Sequence, residues 1–157
     1  MAAQDLVGER LARAVAASGR SLAVAESLTG GSLSARLAAL PDASDWYRGS
    51  VVAYAPAVKH EVLGVPPVPV VSEPAAVALA EGVAELLGAD ITVAVTGVGG
   101  PGPQDGVPAG TVWMAVHDER GTPTHCFHFE GEPPEIVRQT CDAAVDWLTD
   151  RLADGAR

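Results

Sequence analysis

Short apolar, β-branched runs alternate along this sequence with longer segments of helical period, and a glycine or proline closes most of them. An apolar run of about 4–8 residues suits a buried strand, whereas apolar positions recurring three and four apart suit one face of a helix. Residues 21–25 (SLAVA), 49–54 (GSVVAY) and 91–95 (ITVAV) read as strands. Residues 111–117 and 124–129 read as a hairpin around Glu119-Arg120-Gly121. Between them lie helical patterns. Val7, Leu11, Ala14, Val15 and Ser18 form one face of a first helix over 5–18, and Gly19 stops it. A second helix opens at Thr29-Gly30-Gly31, carries Leu33, Leu37 and Leu40, and closes at Pro41. Pro56 starts a third, with Val58, Val62 and Leu63 as its inner face. Ser72 caps a fourth, with Val77, Ala80, Val83, Ala84 and Leu87 inward. The last begins near Pro133-Pro134 and places Val137, Cys141, Ala144, Leu148 and Leu152 on one face. Residues 65–71 hold three prolines and form a connector rather than a central strand.

The order α-β-α-β-α-α-β-β-β-α, without internal repeats, predicts one domain over residues 1–157. Its class is α/β: a three-layer α/β/α sandwich with a mixed β-sheet. In such folds ligands sit at the loops after strands. Two loops are therefore of interest, 26–31 and 96–110.

A formal charge of −10 argues against a nucleic-acid backbone or an anionic membrane as partner. No stretch approaches the roughly 20 apolar residues that span a bilayer, and the charged N-terminus does not read as a signal peptide. Cys126 and Cys141 match neither a disulfide framework nor a zinc pattern, so both read as reduced thiols of a cytoplasmic protein. His125 and His128 would point to opposite faces of a strand, and His60 and His117 lie in unrelated elements, so no metal site is expected.

The first loop reads Glu26-Ser27-Leu28-Thr29-Gly30-Gly31. A serine at a strand end, before a glycine-opened helix, lies near free backbone N–H groups that stabilise an oxyanion or bind phosphate. The same pattern also suits a simple helix cap. Lys59 is the single lysine of the chain and stands five residues after Tyr54. One turn into its helix, it either faces the strand-end crevice or lies solvated on the surface. To act as a base for a serine, a lysine must be partly desolvated, because its ordinary pKa near 10.4 leaves it charged at neutral pH. The loop from Thr96 through Gly97-Val98-Gly99-Gly100-Pro101-Gly102 satisfies G-x-G-x-x-G, but three prolines and then a strand come where a dinucleotide site needs a helix. It reads as a backbone wall. Arg138, early in the last helix, is a candidate for phosphate or for surface carboxylates.

Together these segments resemble the CinA C-terminal domain family, which includes bacterial nicotinamide mononucleotide deamidases. The matching stretches are AESLTGG (25–31), GSVVAYAPAVKHEVLGV (49–65), VSEP (71–74), TGVGGPGP (96–103) and GTVW (110–113). The resemblance implies hydrolysis of a nicotinamide nucleotide to nicotinate mononucleotide and ammonia, with no metal or redox cofactor. It implies Ser27 as nucleophile, Lys59 as proton acceptor and Tyr54 as an assisting group. Glu26, Thr29, Gly30, Gly31, Thr96, Gly97, Gly100 and Arg138 would contact a small pyridine nucleotide, and the molecule would be a homo-oligomer. Full-length members carry a further N-terminal domain, for which 157 residues leave no room.

Three segments depart from the family's usual pattern, one of them the shorter, proline-rich stretch before Val71-Ser72-Glu73. Tyr54-Ala55-Pro56 replaces Tyr-Ser-Asn, and Gly131-Glu132-Pro133 replaces Gly-Asp-Arg, leaving Arg138 as the remaining arginine for a phosphate. The competing reading is a catalytically silent pyridine-nucleotide-binding or regulatory module of the same fold, and a third is a different amidase with a non-phosphorylated substrate.

Overall fold

Side-chain size alternates along the strands, and that alternation builds the layers. The structure, a computed structural model, describes residues 3–155. In chain order the elements are α1 (Ala3–Ser18), β1 (Leu22–Glu26), α2 (Ser32–Ala38), α3 (Ala43–Trp46), β2 (Tyr47–Val52) and α4 (Pro56–Leu63). They continue as α5 (Glu73–Leu87), β3 (Ile91–Gly97), β4 (Thr111–His117), β5 (Thr124–His128) and α6 (Pro133–Asp154). The strands form one open sheet in the order β2-β1-β3-β4-β5. The first three are mutually parallel, β4 is antiparallel to β3, and β5 is antiparallel to β4. Helices cover both faces, giving the three-layer α/β/α arrangement with a mixed sheet. Among the described residues no helix is long and apolar enough to cross a membrane.

On one face Leu22, Val24, Ile91, Val93, Val95 and Met114 pack against Leu11 and Val15 of α1, Leu33 and Leu37 of α2, and Leu148 of α6. The opposite parity carries Ala23, Ala25, Ala94 and Ala115, which pack against Ala76, Leu79, Ala80 and Val83 of α5 and Leu63 of α4. Large residues on one face and small ones on the other set two different helix distances. Close approach continues between α4 and α5. A Cβ added at Gly82 would lie 2.2 Å from the Leu63 carbonyl oxygen. Gly82→Ala gains about 1 kcal/mol of helix propensity, yet overpacking against backbone costs roughly 1–3 kcal/mol. The clash wins because a carbonyl cannot rotate aside as a side chain does. Urea unfolding is expected to show a lower midpoint at unchanged slope; a midpoint above wild type would contradict the close packing.

Several boundaries differ from those the sequence predicts. The short helix α3 lies in a segment with too few residues to show a period, and β2 begins at Tyr47 and ends at Val52, before Tyr54. Helix α2 begins at Ser32, because the left-handed conformations of Gly30 and Gly31 make Thr29-Gly30-Gly31 a turn instead of a helical opening. In α4 the inner face is Lys59 and Leu63, while Val62 is exposed. Positions 59 and 63 are four apart and share a stripe, so burying Leu63 carries Lys59 inward with it.

Candidate active site

Three parallel strands end side by side, and the segments that leave them converge on one cavity of about 570 Å³. Ser27 comes directly after β1, Tyr54 shortly after β2, and Thr96, Gly97 and Gly100 belong to the end of β3 and its loop. All five line the cavity, together with Lys59 from α4. This is the strand-end crevice that open α/β sheets use for ligands. Lys59 is the one basic side chain of the lining, and no carboxylate lies among the lining residues.

Lys59 owes its place to the start of its helix. Ala55 is the extended residue before α4 and Pro56 occupies the first helical position, where a missing N–H costs nothing. Helical side chains lean toward the N-terminus, so Lys59 reaches back along α4, and its Nζ donates to the Tyr54 carbonyl oxygen at 3.1 Å. Only 2% of the residue is exposed. Burial pushes the Lys59 ammonium below its ordinary pKa, because desolvation penalises the charged form. Tyr54 itself is 69% exposed, so its contact with Lys59 runs through the backbone and its ring stands at the mouth.

Ser27 is 7% exposed and continues the Ala23, Ala25 side of β1, which is the side that α4 and α5 cover. Among the described residues its hydroxyl has no hydrogen-bond partner, and it is not among the side-chain oxygens sealed from solvent. The neighbouring Glu26 points the other way and is consumed by structure. Its carboxylate accepts from Thr29 Oγ1 (2.7 Å), Leu33 N (2.9 Å), Ser34 N (3.1 Å) and Ser50 Oγ (3.2 Å). A buried carboxylate thus satisfies the first amides of α2 and ties them to β1 and β2.

Of the Thr29-Gly30-Gly31 amides expected at an open helix N-terminus, only that of Gly30 is engaged among the described residues. The Gly30 amide donates to the Ser27 carbonyl (3.1 Å) and the Ser32 amide to Thr29 (2.9 Å), while Glu26 takes the next two. The Leu28 amide, next to Ser27, has no partner among the described residues, and Leu28 lines the cavity. Glu26, Thr29, Gly30, Gly31 and Arg138 are not part of that lining. Arg138 is 54% exposed at its side chain and pairs with Asp142 one turn along α6, at 3.2 Å.

The β3 end is built by backbone. Thr96 Oγ1 donates to the Val70 carbonyl at 2.6 Å, fastening the connector before α5 to the cavity wall. A Cβ on Gly97 would lie 2.6 Å from the Thr111 carbonyl oxygen, so the glycine is there to admit β4. The loop runs on into β4 and not into a helix, which excludes a dinucleotide-type helix terminus at G-x-G-x-x-G. Sequence reasoning passed over Val70, Val71 and Gln104, which also line the cavity. Val70 and Val71 gave no signal, since nothing local marks an apolar connector as a pocket wall. The signal for Gln104 was the Asp105-Gly106 pair after it, a two-residue turn signature.

With this geometry in place, the chain can be compared with known proteins. A family model described as the CinA C-terminal domain matches residues 4–152. A CinA-like protein of Geobacter metallireducens is 38% identical over 154 residues, covering 94% of this chain and 37% of that protein. A CinA-like protein of Frankia casuarinae is 41% identical over 138 residues, covering 85% of this chain and 32% of that protein. The chain spans about a third of the length of the curated relatives it matches. Solved structures extend over the whole fold. A competence-damaged protein (CinA) superfamily protein from Klebsiella pneumoniae superposes with a TM-score of 0.93 at 36% identity, covering 98% of this chain and 99% of that one. Another from Escherichia coli gives 0.88 at 33% identity, covering 95% and 92%.

Proposed function

This chain belongs to the CinA C-terminal domain family, and from that premise we propose that it is an amidohydrolase that removes ammonia from the carboxamide of a nicotinamide nucleotide. The observation that carries the reading is one cavity shared by a buried lysine of lowered pKa and a serine hydroxyl that has no partner among the described residues. A desolvated lysine that shares a cavity with a serine can serve as its base.

These groups dictate the chemistry. Lys59, as the neutral amine, takes the Ser27 proton while Oγ bonds to the carboxamide carbon. The positively charged pyridinium ring withdraws electrons and makes that carbon more electrophilic. The negative oxygen of the tetrahedral adduct needs an N–H donor, and the amides of Ser27 and Leu28 are both without a partner among the described residues. Lys59 then returns the proton to the amide nitrogen, the C–N bond breaks, and ammonia leaves. Water, giving its proton to the same amine, attacks the acyl-serine; the ester C–O bond breaks and Ser27 recovers its proton, releasing the carboxylate.

A silent binding module is the second reading. The observation favouring it is that Lys59 Nζ already donates to the Tyr54 carbonyl, and no hydrogen bond joins it to Ser27 among the described residues. Ammonia release from nicotinamide mononucleotide, nicotinamide riboside and nicotinamide separates the two. The wild-type chain is expected to release ammonia from at least one of them, and Ser27→Ala to lower kcat by at least about 10³-fold. Turnover that survives Ser27→Ala would defeat the covalent mechanism. Binding without any turnover would establish the silent module.

A further inference from the structure

We propose that Gln104 is a specificity-determining residue that reads the ribose of the substrate at the cavity mouth. The inference rests on the amidase reading for the identity of the substrate, though not for the existence of the contact.

Gln104 belongs to a small rigid element inside the long β3–β4 loop. Its N–H donates to the Val107 carbonyl at 3.0 Å and its carbonyl accepts from the Val107 N–H at 2.9 Å. Between them Asp105 and Gly106 both take positive φ, 50° and 76°. Two left-handed central residues with a reciprocal pair of hydrogen bonds make a type I′ turn, the tightest hairpin connection. A loop with this internal ladder holds its first residue in place, which an irregular loop of that length would not do.

Three of the other four polar side chains of the lining have work already, and the fourth, the Tyr54 hydroxyl, shares the mouth with Gln104 and has no partner among the described residues. Thr96 is bonded to Val70, Lys59 to Tyr54, and Ser27 is the proposed nucleophile. The Gln104 side chain has no hydrogen-bond partner among the described residues, and a primary amide both donates and accepts. Gln104 is exposed while Ser27 and Lys59 are buried, so it stands at the rim and they stand at the floor. A carboxamide reacting at the floor presents its sugar to the rim. The lining has no arginine there, so the neutral amide meets hydroxyl groups and not a phosphate.

The test is calorimetric binding of nicotinamide mononucleotide, nicotinamide riboside and nicotinamide to the chain carrying Ser27→Ala, with and without Gln104→Ala. Ammonia release from the otherwise wild-type chain is measured beside it. The expected result is about a tenfold weaker Kd for both ribose-bearing ligands, the loss of one hydrogen bond to a neutral group, with nicotinamide within about twofold. Loss for the mononucleotide alone would assign Gln104 to the phosphate and overturn the inference. Equal loss for all three ligands, or loss for none, would overturn it as well. A ribose-dependent effect without ammonia release would keep this inference and defeat the amidase. Ammonia release that ignores Gln104, with ligand affinities unchanged, would do the reverse.

Discussion

Replacing Lys59 by arginine is expected to lower kcat for ammonia release by about 10³-fold and to remove the rise of activity with pH. The magnitude is what a positioned general base contributes, roughly 10²–10⁴-fold. Arginine keeps the positive charge but cannot give up its proton in a protein. Lys59→Met keeps much of the length and none of the basicity, so it should fall as far. The two substitutions together separate proton transfer from charge. If the ammonium were needed only as a cation, arginine would retain activity and methionine would not. The pH profile carries the same information. Burial lowers the Lys59 pKa, so the neutral amine populates at a pH below the ordinary lysine value near 10.4. Activity of the wild type should rise with pH to a plateau whose midpoint lies below that value. A profile flat across neutral and alkaline pH, or one that falls, would show that a different group is the base.

The second large effect lies at the opposite end of the sheet. Asp118 comes directly after β4 in the turn to β5, and its side chain is fully buried between two arginines. Arg151 of α6 donates through Nε and Nη2, both at 2.8 Å. Arg120 donates through Nη2 at 2.7 Å and through its backbone N–H at 2.8 Å. The carboxylate therefore clips the β4–β5 hairpin to the last helix. Burial alone would raise its pKa, but the hydrogen bonds from Arg151 and Arg120 prevail and hold it well below the usual carboxylate range. Removing one member of a buried ionic cluster costs about 3–5 kcal/mol when the remaining charges stay buried. Here both arginines retain some exposure and can be hydrated. Asp118→Ala is accordingly expected to lose about 3 kcal/mol, a fall of roughly 6–12 °C in Tm for a domain of this size. Because the folded pKa lies below the unfolded one, this stabilisation is complete above the unfolded value near 3.9. It is lost as the pH falls toward the folded value. Thermal unfolding of wild type and Asp118→Asn should therefore differ at pH 7, with a gap that begins to narrow below pH 4 and is still open at pH 2. A constant difference over that range would mean that the charge is irrelevant. Residue 117 pairs with Thr92 at the start of β3, whereas Gly97 at the cavity end pairs with Val112. The clip is thus remote from the site, and kcat at 25 °C should be unchanged.

Strands β1, β3 and β4, with helices α1, α5 and α6, were legible because their periods are long and their ends are marked by Gly, Pro or a capping serine. The inner face of α4 was not legible. Hydrophobicity selects Val58, Val62 and Leu63, and the folded chain buries Lys59 in place of Val62. No local rule puts a lysine inward, since the cost of burying it is settled by its surroundings. Glu26 was misplaced for a related reason. Adjacent to the candidate nucleophile it suggests a ligand contact, but strand parity turns consecutive side chains to opposite faces. Its carboxylate is bound by α2 and β2.

The Ser27 loop, the isolated lysine and the strand–helix alternation were determined by sequence alone, because each depends on residue identity and short-range spacing. That the ends of β1, β2 and β3 open into one cavity was decided by the tertiary structure. Parallel pairing aligns three strand ends, at Glu26, Val52 and Gly97, and only that alignment gives a lysine a crevice to enter. The burial that lowers its pKa is a property of the packed layers, which no window of the sequence contains.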